Sequence, residues 1–195
     1  MDCQWARTLT DVVFRLAGLH EVESLNLLIG ASARVLSEGY YSAEEIDAAT
    51  RYVFGVDTTL VNDGTYFVGE LDGEVVACGG WSRRGALYGG DQRRVGEAPV
   101  LDPARDAARI RAFFVHPSCA RRGIGRQLLE VCTVAARGEG YRSLELMATL
   151  PGIPLYAACG FLEVERVVDR MPNGVGVRFV RMRKVLDGEP EGSGA

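Results

Sequence analysis

The sequence has almost no lysine and very little histidine. Among 195 residues it contains one lysine, Lys184, and two histidines, His20 and His116. A mechanism that needs a lysine Schiff base therefore has almost no candidate residue. The five cysteines form no Cys-x-x-Cys pair, and a zinc site is hard to assemble from so few imidazoles, so we predict no metal centre. We expect the thiols to be reduced.

An excess of positive charge is also missing. The 22 basic and 26 acidic residues give a formal net charge of −4 and a pI near 5.3, which argues against a general nucleic-acid binder. No apolar run is long enough to cross a bilayer, and the first ten residues show no basic stretch followed by an apolar one. We therefore expect a cytoplasmic protein with no nucleic-acid partner and no membrane anchor.

The composition that remains is that of a folded domain. A hydrophobic share of 47% with 25% charged residues excludes a disordered chain and supplies enough apolar side chain for one core. We predict a single domain over residues 1–186. A tail rich in Gly, Glu and Pro follows at 187–195, and we expect it to be flexible.

The pattern of apolar residues predicts an α/β domain of the α+β kind. Asp72-Gly73 is typical of a two-residue hairpin turn, and Ser42 with Glu45 is typical of a helix start. The connection at 85–107 has no clear period, which leaves open a binding role or a solvated loop. We predict strands at 12–16, 65–71, 74–81, 108–115, 143–149, 161–168 and 176–185, and helices at 21–36, 43–54, 121–137 and 153–159.

The turn before the third predicted helix has the chemistry of a phosphate site. Gly123 and Gly125 carry no side chain that would keep a ligand from the backbone, and the first N–H groups of a helix point outward with partial positive charge. Arg121, Arg122 and Arg126 add charge for a further phosphate. The dinucleotide fingerprint lacks its third glycine here and the Walker A loop lacks its lysine, so neither pattern fits. A plain connector is the alternative.

Three segments together resemble the GCN5-related N-acetyltransferase (GNAT) superfamily. They are RIRAFFVHP at 109–117, ARRGIGRQLLE at 120–130 and YAACGF at 156–161. The resemblance covers residues 12–185. It implies a mixed, mostly antiparallel sheet with flanking helices, whose fourth and fifth strands splay apart. It also implies acetyl-CoA as co-substrate, with the pantetheine arm between those two strands.

The resemblance assigns roles to single residues. The Phe113 N–H would polarise the thioester carbonyl, and the glycine turn would hold the pyrophosphate. Tyr156 stands where relatives place a phenol near the sulfur, which implies a general acid for the leaving thiolate; packing beneath the cofactor is the alternative. The implied cofactor contacts are Phe113, Phe114, Val115, Arg121, Arg122, Gly123, Ile124, Gly125 and Arg126.

The sequence departs from the family at the general base. Arg109 and Arg111 occupy the two strand positions where several relatives carry Glu or His, and a guanidinium cannot accept a proton at neutral pH. The base is therefore water or another residue, and Glu145, Glu97 and Glu38 are unranked candidates. As cations in an acceptor pocket, the two arginines would favour an acceptor with a carboxylate or phosphate. The general excess of arginine is the alternative explanation.

Tyr40 and Trp81 complete the predicted acceptor wall, although aromatic residues at the ends of elements also serve as core packing. The resemblance implies transfer of an acetyl group from acetyl-CoA to the primary amine of a small molecule by direct attack. A non-catalytic acyl-CoA sensor and a protein N-acetyltransferase are the alternatives. The resemblance implies that a homodimer is possible. No pattern of surface residues in the sequence demonstrates one.

Overall fold

The computed structural model describes residues 12–94 and 96–186. Within those residues the chain forms seven strands and five α-helices. Their bounds, in chain order, are β1 (Val13–Leu16), α1 (Val22–Leu36), α2 (Ala43–Tyr52), α3 (Thr58–Asn62), β2 (Tyr66–Leu71), β3 (Glu74–Ser82), β4 (Ala108–Val115), α4 (Ile124–Gly138), β5 (Ser143–Thr149), α5 (Ile153–Ala158), β6 (Leu162–Arg170) and β7 (Gly176–Val185).

The seven strands form one mixed sheet in the order β1, β2, β3, β4, β5, β7, β6. β4 and β5 run parallel, and every other neighbouring pair is antiparallel. A parallel pair needs a crossover connection, and α4 lies in that connection. The predicted mixed, mostly antiparallel sheet with flanking helices is confirmed.

Helices cover both faces of the sheet. In β3, Ala77 packs in the cluster that contains the α4 side chains, whereas its neighbour Cys78 packs with side chains of α1 and α3. Consecutive strand residues point to opposite faces, so α4 covers one face and α1 and α3 cover the other. Ile124, Leu128 and Cys132 recur at helical spacing along α4 and are almost fully buried, which fixes the inward face of that helix.

Predicted element ends agree with the structure where the local signal is strong. Ser42 and Glu45 form a capping box at the start of α2, with Ser42 N donating to Glu45 Oε2 over 2.8 Å and Glu45 N donating to Ser42 Oγ over 3.1 Å. Asp72 and Gly73 have φ angles of 53° and 83°, as the two-residue hairpin turn requires.

Two local predictions were wrong. The prediction missed α3, a helix of five residues that is too short to show a period; Asp57 caps it by accepting from Thr59 N over 3.0 Å. The helix predicted from 121 begins only at Ile124. Arg121 and Gly123 have φ angles of 64° and 85°, which a right-handed helix excludes.

Part of the predicted domain, residues 1–11, and the predicted tail at 187–195 lie outside the described residues. In the part that the structure describes, no helix is long and apolar enough to span a bilayer. The same part shows no group of three or more His, Cys, Asp or Glu side chains that could hold a metal ion.

Candidate active site

β4 and β5 are paired at three positions only and then separate. Ala108, Arg109 and Ile110 pair with Leu144, Glu145 and Leu146, and no later residue of β4 pairs with β5. Beyond that point β4 stays beside β3 and β5 stays beside β7. Strand edges that face each other without pairing offer N–H and C=O groups to an extended ligand. This gap is the splay that the family resemblance implies, and Phe113, Phe114 and Val115 lie on the separated part of β4.

A bulge in β4 lies at the start of the splay. Ala112 has φ +53°, and the register between β3 and β4 shifts opposite it, between Cys78 and Gly80. A left-handed alanine is strained, so the surroundings must hold it in place. The Phe113 ring covers Gly79, where an added Cβ would lie 2.5 Å from the ring. On the other side the buried Tyr66 hydroxyl donates to Ala112 O over 3.3 Å.

Tyr66→Phe tests whether this hydroxyl supports the bulge. We expect the free energy of unfolding to fall by about 1 kcal/mol, because the Ala112 carbonyl loses a buried donor. We also expect kcat/KM of the reaction at this site to fall about tenfold, because Phe113 is then held less firmly. Tyr141→Phe is the matched control, since its hydroxyl also donates to a carbonyl, Leu101 O, over 3.2 Å but away from the splay. Equal activity losses in the two variants would contradict this role of Tyr66.

The glycine turn lies at the N-terminus of α4. Gly123 is the N-cap, with φ +85°, and apart from its chain neighbours no described residue lies within 4 Å of the position where its Cβ would be. Gly125 lies in the first turn, where an added Cβ would be 3.1 Å from Leu155 Cδ2 of α5. Glycine is therefore required at the first position by conformation and favoured at the second by close packing. The space beside the N-cap of α4 is therefore open at Gly123.

The three arginines of this turn differ in their surroundings. Arg121 and Arg122 are exposed and make no ion pair with any residue in 12–94 or 96–186. Arg126 is exposed too, but its Nη2 donates to Ala158 O of α5 over 2.9 Å. Two free guanidinium groups therefore flank the open helix end, and the third links that end to α5.

Tyr156 projects from α5 and is 8% exposed. Its ring packs edge-on against Phe161, with centroids 5.8 Å apart. Burial raises the pKa of the Tyr156 phenol above its usual value of 10, so the phenol is protonated at neutral pH. A protonated phenol next to the splay has the properties of a proton donor.

The bulge of β4 and Tyr156 meet in one cleft beside the separated strands, which we call the splay cleft. It contains Ile110, Phe113 and Tyr156 on the side of α4 and α5. Its other side contains Phe114 and Arg111 together with residues that the sequence did not single out. Those are Val53, Phe54, Gly55, Tyr88, Gly89, Met147, Thr149 and Phe179.

Arg111 lines the splay cleft, but its charge is already paired. Its side chain is 3% exposed, and it donates to Asp57 Oδ2 and Ala86 O, each over 2.8 Å, and to Gly89 O. Burial lowers the pKa of the Arg111 guanidinium, and Asp57 opposes that effect. Only Nε is left without a partner. Arg111 therefore ties β4 to α3 and to the 85–107 connection.

Arg109 is also engaged within the protein. It donates to Glu145, a buried carboxylate that accepts from Arg181 Nη1 over 3.0 Å as well, and Arg181 in turn pairs with Glu165. Neither Arg109 nor Glu145 lines the splay cleft. The structure thus places this candidate base in an ion-pair chain, and the remaining candidates, Glu38 and Glu97, are exposed outside the cleft.

The two predicted aromatic wall residues lie elsewhere. Trp81 is 2% exposed and packs edge-on against Tyr141 at 5.8 Å, in the core on the α4 face. Tyr40 is 47% exposed on the surface and does not line the splay cleft. Trp81 lies on the face of β3 that points towards α4, and the aromatic residues of the cleft come from other segments.

Comparison with known proteins agrees with this geometry. Residues 32–161 match the protein family described as "Acetyltransferase (GNAT) family". The chain belongs to the GNAT acetyltransferase family. Acetyl-CoA is the co-substrate of that family. No curated protein matches the chain.

Solved structures share this GNAT fold at low sequence identity. A GCN5-related N-acetyltransferase from Rhodopseudomonas palustris is 18% identical, with a TM-score of 0.68, over 92% of this chain and 98% of that one. The PaiA N-acetyltransferase of Thermoplasma acidophilum, solved with coenzyme A, is 13% identical, with a TM-score of 0.59, over 90% and 99%. The ribosomal-protein-S18-alanine N-acetyltransferase of Escherichia coli is 16% identical, with a TM-score of 0.55, over 95% and 100%.

Proposed function

We propose that this protein transfers the acetyl group of acetyl-CoA to the primary amine of a small molecule by direct attack. One observation carries the proposal: the separated parts of β4 and β5 run from the open N-terminal turn of α4 to a cleft that holds Tyr156. An extended pantetheine arm suits the strand edges, and a pyrophosphate suits the helix end. We keep the prediction of a cytoplasmic protein, with which the four free cysteines in the described residues are compatible.

Each candidate residue has a distinct part in the proposed reaction. Acetyl-CoA supplies the activated acetyl group and leaves as coenzyme A. The main chain of Phe113 donates to the oxygen that gains negative charge during attack, a contribution worth about 3 to 4 kcal/mol in well-studied acyl transfer. Tyr156 donates its proton to the departing sulfur. Water removes the excess proton of the amine, because no Asp or Glu of the described residues lines the splay cleft.

The structure favours a small acceptor over a protein substrate. The 85–107 connection is held at β4 by Arg111 and at β6 by Asp169, which accepts from Tyr88 Oη over 2.9 Å. The connection is thus fixed beside the splay cleft, which Tyr88 and Gly89 line, whereas an extended peptide would need an open groove there. Among the relatives above, one acetylates a ribosomal protein by name, so relatives alone do not choose the acceptor.

A screen of amines with acetyl-CoA tests the proposal. We expect release of free coenzyme A thiol together with an acetylated amine in the mass spectrum. A sensor would bind acetyl-CoA and release no thiol with any amine, and a protein acetyltransferase would acetylate peptides and no free amine. Either of those results would overturn the proposed function.

The pH dependence of kcat/KM should follow the pKa of the acceptor amine and not that of an enzyme carboxylate. We expect kcat/KM to rise with pH up to the pKa of the amine, because only the neutral amine attacks. Two acceptors of different pKa should therefore give acid limbs separated by that difference. The rate should not fall between about pH 7 and about pH 9, since Tyr156 keeps its proton there. An acid limb at the same pH for both amines would show that the enzyme provides a base.

A further inference from the structure

The acceptor end of the splay cleft is built from aromatic rings. Phe54 packs edge-on against Phe114, with centroids 5.6 Å apart, and edge-on against Phe179 at 6.4 Å. Tyr88 packs against Phe179 from the other side at 5.5 Å. All four rings line the cleft, and Met147 adds a polarisable apolar side chain. This surface suits an apolar, planar group.

The same surface offers little to a charged group. Arg111 is the one charged side chain that the described residues contribute to the cleft, and Asp57 already neutralises it at 2.8 Å. Asp57 also pairs with Arg94 at 3.1 Å, and Arg94 pairs with Asp91, so two arginines and two aspartates form a neutral chain. A second ammonium group on the acceptor would be buried without a counter-charge, which is costly. A carboxylate on the acceptor would compete with Asp57 for Arg111.

Tyr88 is held in place at several points. Its hydroxyl donates to Asp169 of β6 over 2.9 Å, and Arg93 stacks over the ring at 4.7 Å and pairs with the same Asp169 at 2.7 Å. Burial, together with the bond to Asp169, raises the pKa of Tyr88 to about 12, so the hydroxyl remains a donor. Arg111 anchors the carbonyls of Ala86 and Gly89 on either side of this tyrosine. A side chain fixed in this way can select a substrate by shape.

We infer that the acceptor is a primary amine on an aromatic body, of the arylalkylamine class, and that Tyr88 of the 85–107 connection determines this specificity. The inference rests on the proposed acetyl transfer and adds the substrate class. It replaces the anionic acceptor expected from Arg109 and Arg111, because both guanidinium groups are paired within the protein.

A matched series of amines tests the substrate class. We expect kcat/KM for 2-phenylethylamine to exceed that for ethylamine by about 100-fold or more, since a whole ring adds several apolar groups to the contact. Putrescine, with its second cation, and phenylalanine, with its carboxylate, should both fall well below 2-phenylethylamine. Phenylalanine methyl ester should recover part of the rate. Preference for putrescine or for phenylalanine would overturn the inference.

Two variants test the role of Tyr88. Tyr88→Ala should reduce the ratio of kcat/KM for 2-phenylethylamine over ethylamine by about tenfold or more, mainly through KM, because the ring loses one wall. Tyr88→Phe keeps the ring and should retain most of the ratio. Leu162→Ala, on an exposed side chain of β6 outside the cleft, is the control. An unchanged ratio in Tyr88→Ala would remove Tyr88 as the determinant.

The two possible failures are distinguishable. If no amine releases coenzyme A while acetyl-CoA still raises the melting temperature, the proposed function fails. If simple amines are acetylated without preference for an aromatic body, acetyl transfer stands and the inferred substrate class alone is overturned.

Discussion

Tyr156→Phe should lower kcat by about 10²-fold or more while the Kd for acetyl-CoA changes little. The hydroxyl is the only group removed, and the ring keeps its edge-on contact with Phe161 and its place in the core on the α4 face. A proton donor acts only when the thiolate leaves, so its loss affects turnover and not ground-state binding. Steady-state kinetics and isothermal titration calorimetry measure the two quantities separately.

Tyr141→Phe is again the control, because it removes a tyrosine hydroxyl from the same face of the sheet without touching the splay cleft. Unchanged turnover in Tyr156→Phe would assign that tyrosine to packing alone. A rise in Kd as large as the fall in kcat/KM would mean that the hydroxyl contacts the cofactor in the ground state.

Replacing Gly123 by valine should weaken acetyl-CoA binding by about 10- to 100-fold, the equivalent of losing one charge-assisted hydrogen bond. The valine side chain would project from the N-cap of α4, where no described residue other than the chain neighbours of Gly123 lies within 4 Å of the missing Cβ. It would thus stand where the pyrophosphate is expected. Titration calorimetry with acetyl-CoA gives the change directly.

Backbone strain is the competing explanation, because Gly123 has φ +85° and a β-branched residue there costs stability. Gly64→Val is the matched control: Gly64 has φ +67°, open space around its missing Cβ, and a place in the turn before β2. Both variants should lose similar stability on thermal unfolding. Only Gly123→Val should lose affinity for acetyl-CoA. If Gly123→Val keeps its affinity, the glycine turn is not part of the cofactor site.

The sequence predicted the structure best where neighbouring residues alone determine the element. The bounds predicted for β4, β5 and β7 are those observed, because alternation and flanking turns define each strand locally. The splay between β4 and β5 followed from the family resemblance and is present. The glycines of the turn were recognised from the sequence, but the left-handed N-cap at Gly123 and the helix start at Ile124 were not.

Side-chain partners could not be predicted in the same way. Arg111 meets Asp57, 54 residues earlier, so nothing in the local sequence indicates that its charge is neutralised. Tyr88 lies in a connection without a period, and its place against Phe179 depends on tertiary contacts with Asp169 and Arg93. The sequence therefore left open whether Arg109 and Arg111 face an anionic acceptor, and their pairing with Glu145 and Asp57 is visible only in the structure.

Hydrogen–deuterium exchange with and without acetyl-CoA tests the central claim most directly. Binding in the splay should slow exchange of the amides of 113–115 in β4 and of 123–126 at the start of α4, since both gain hydrogen-bond partners or lose contact with water. Exchange in β1, at the far edge of the sheet, should not change. Unchanged exchange at both sites, with protection elsewhere in the chain, would contradict the account.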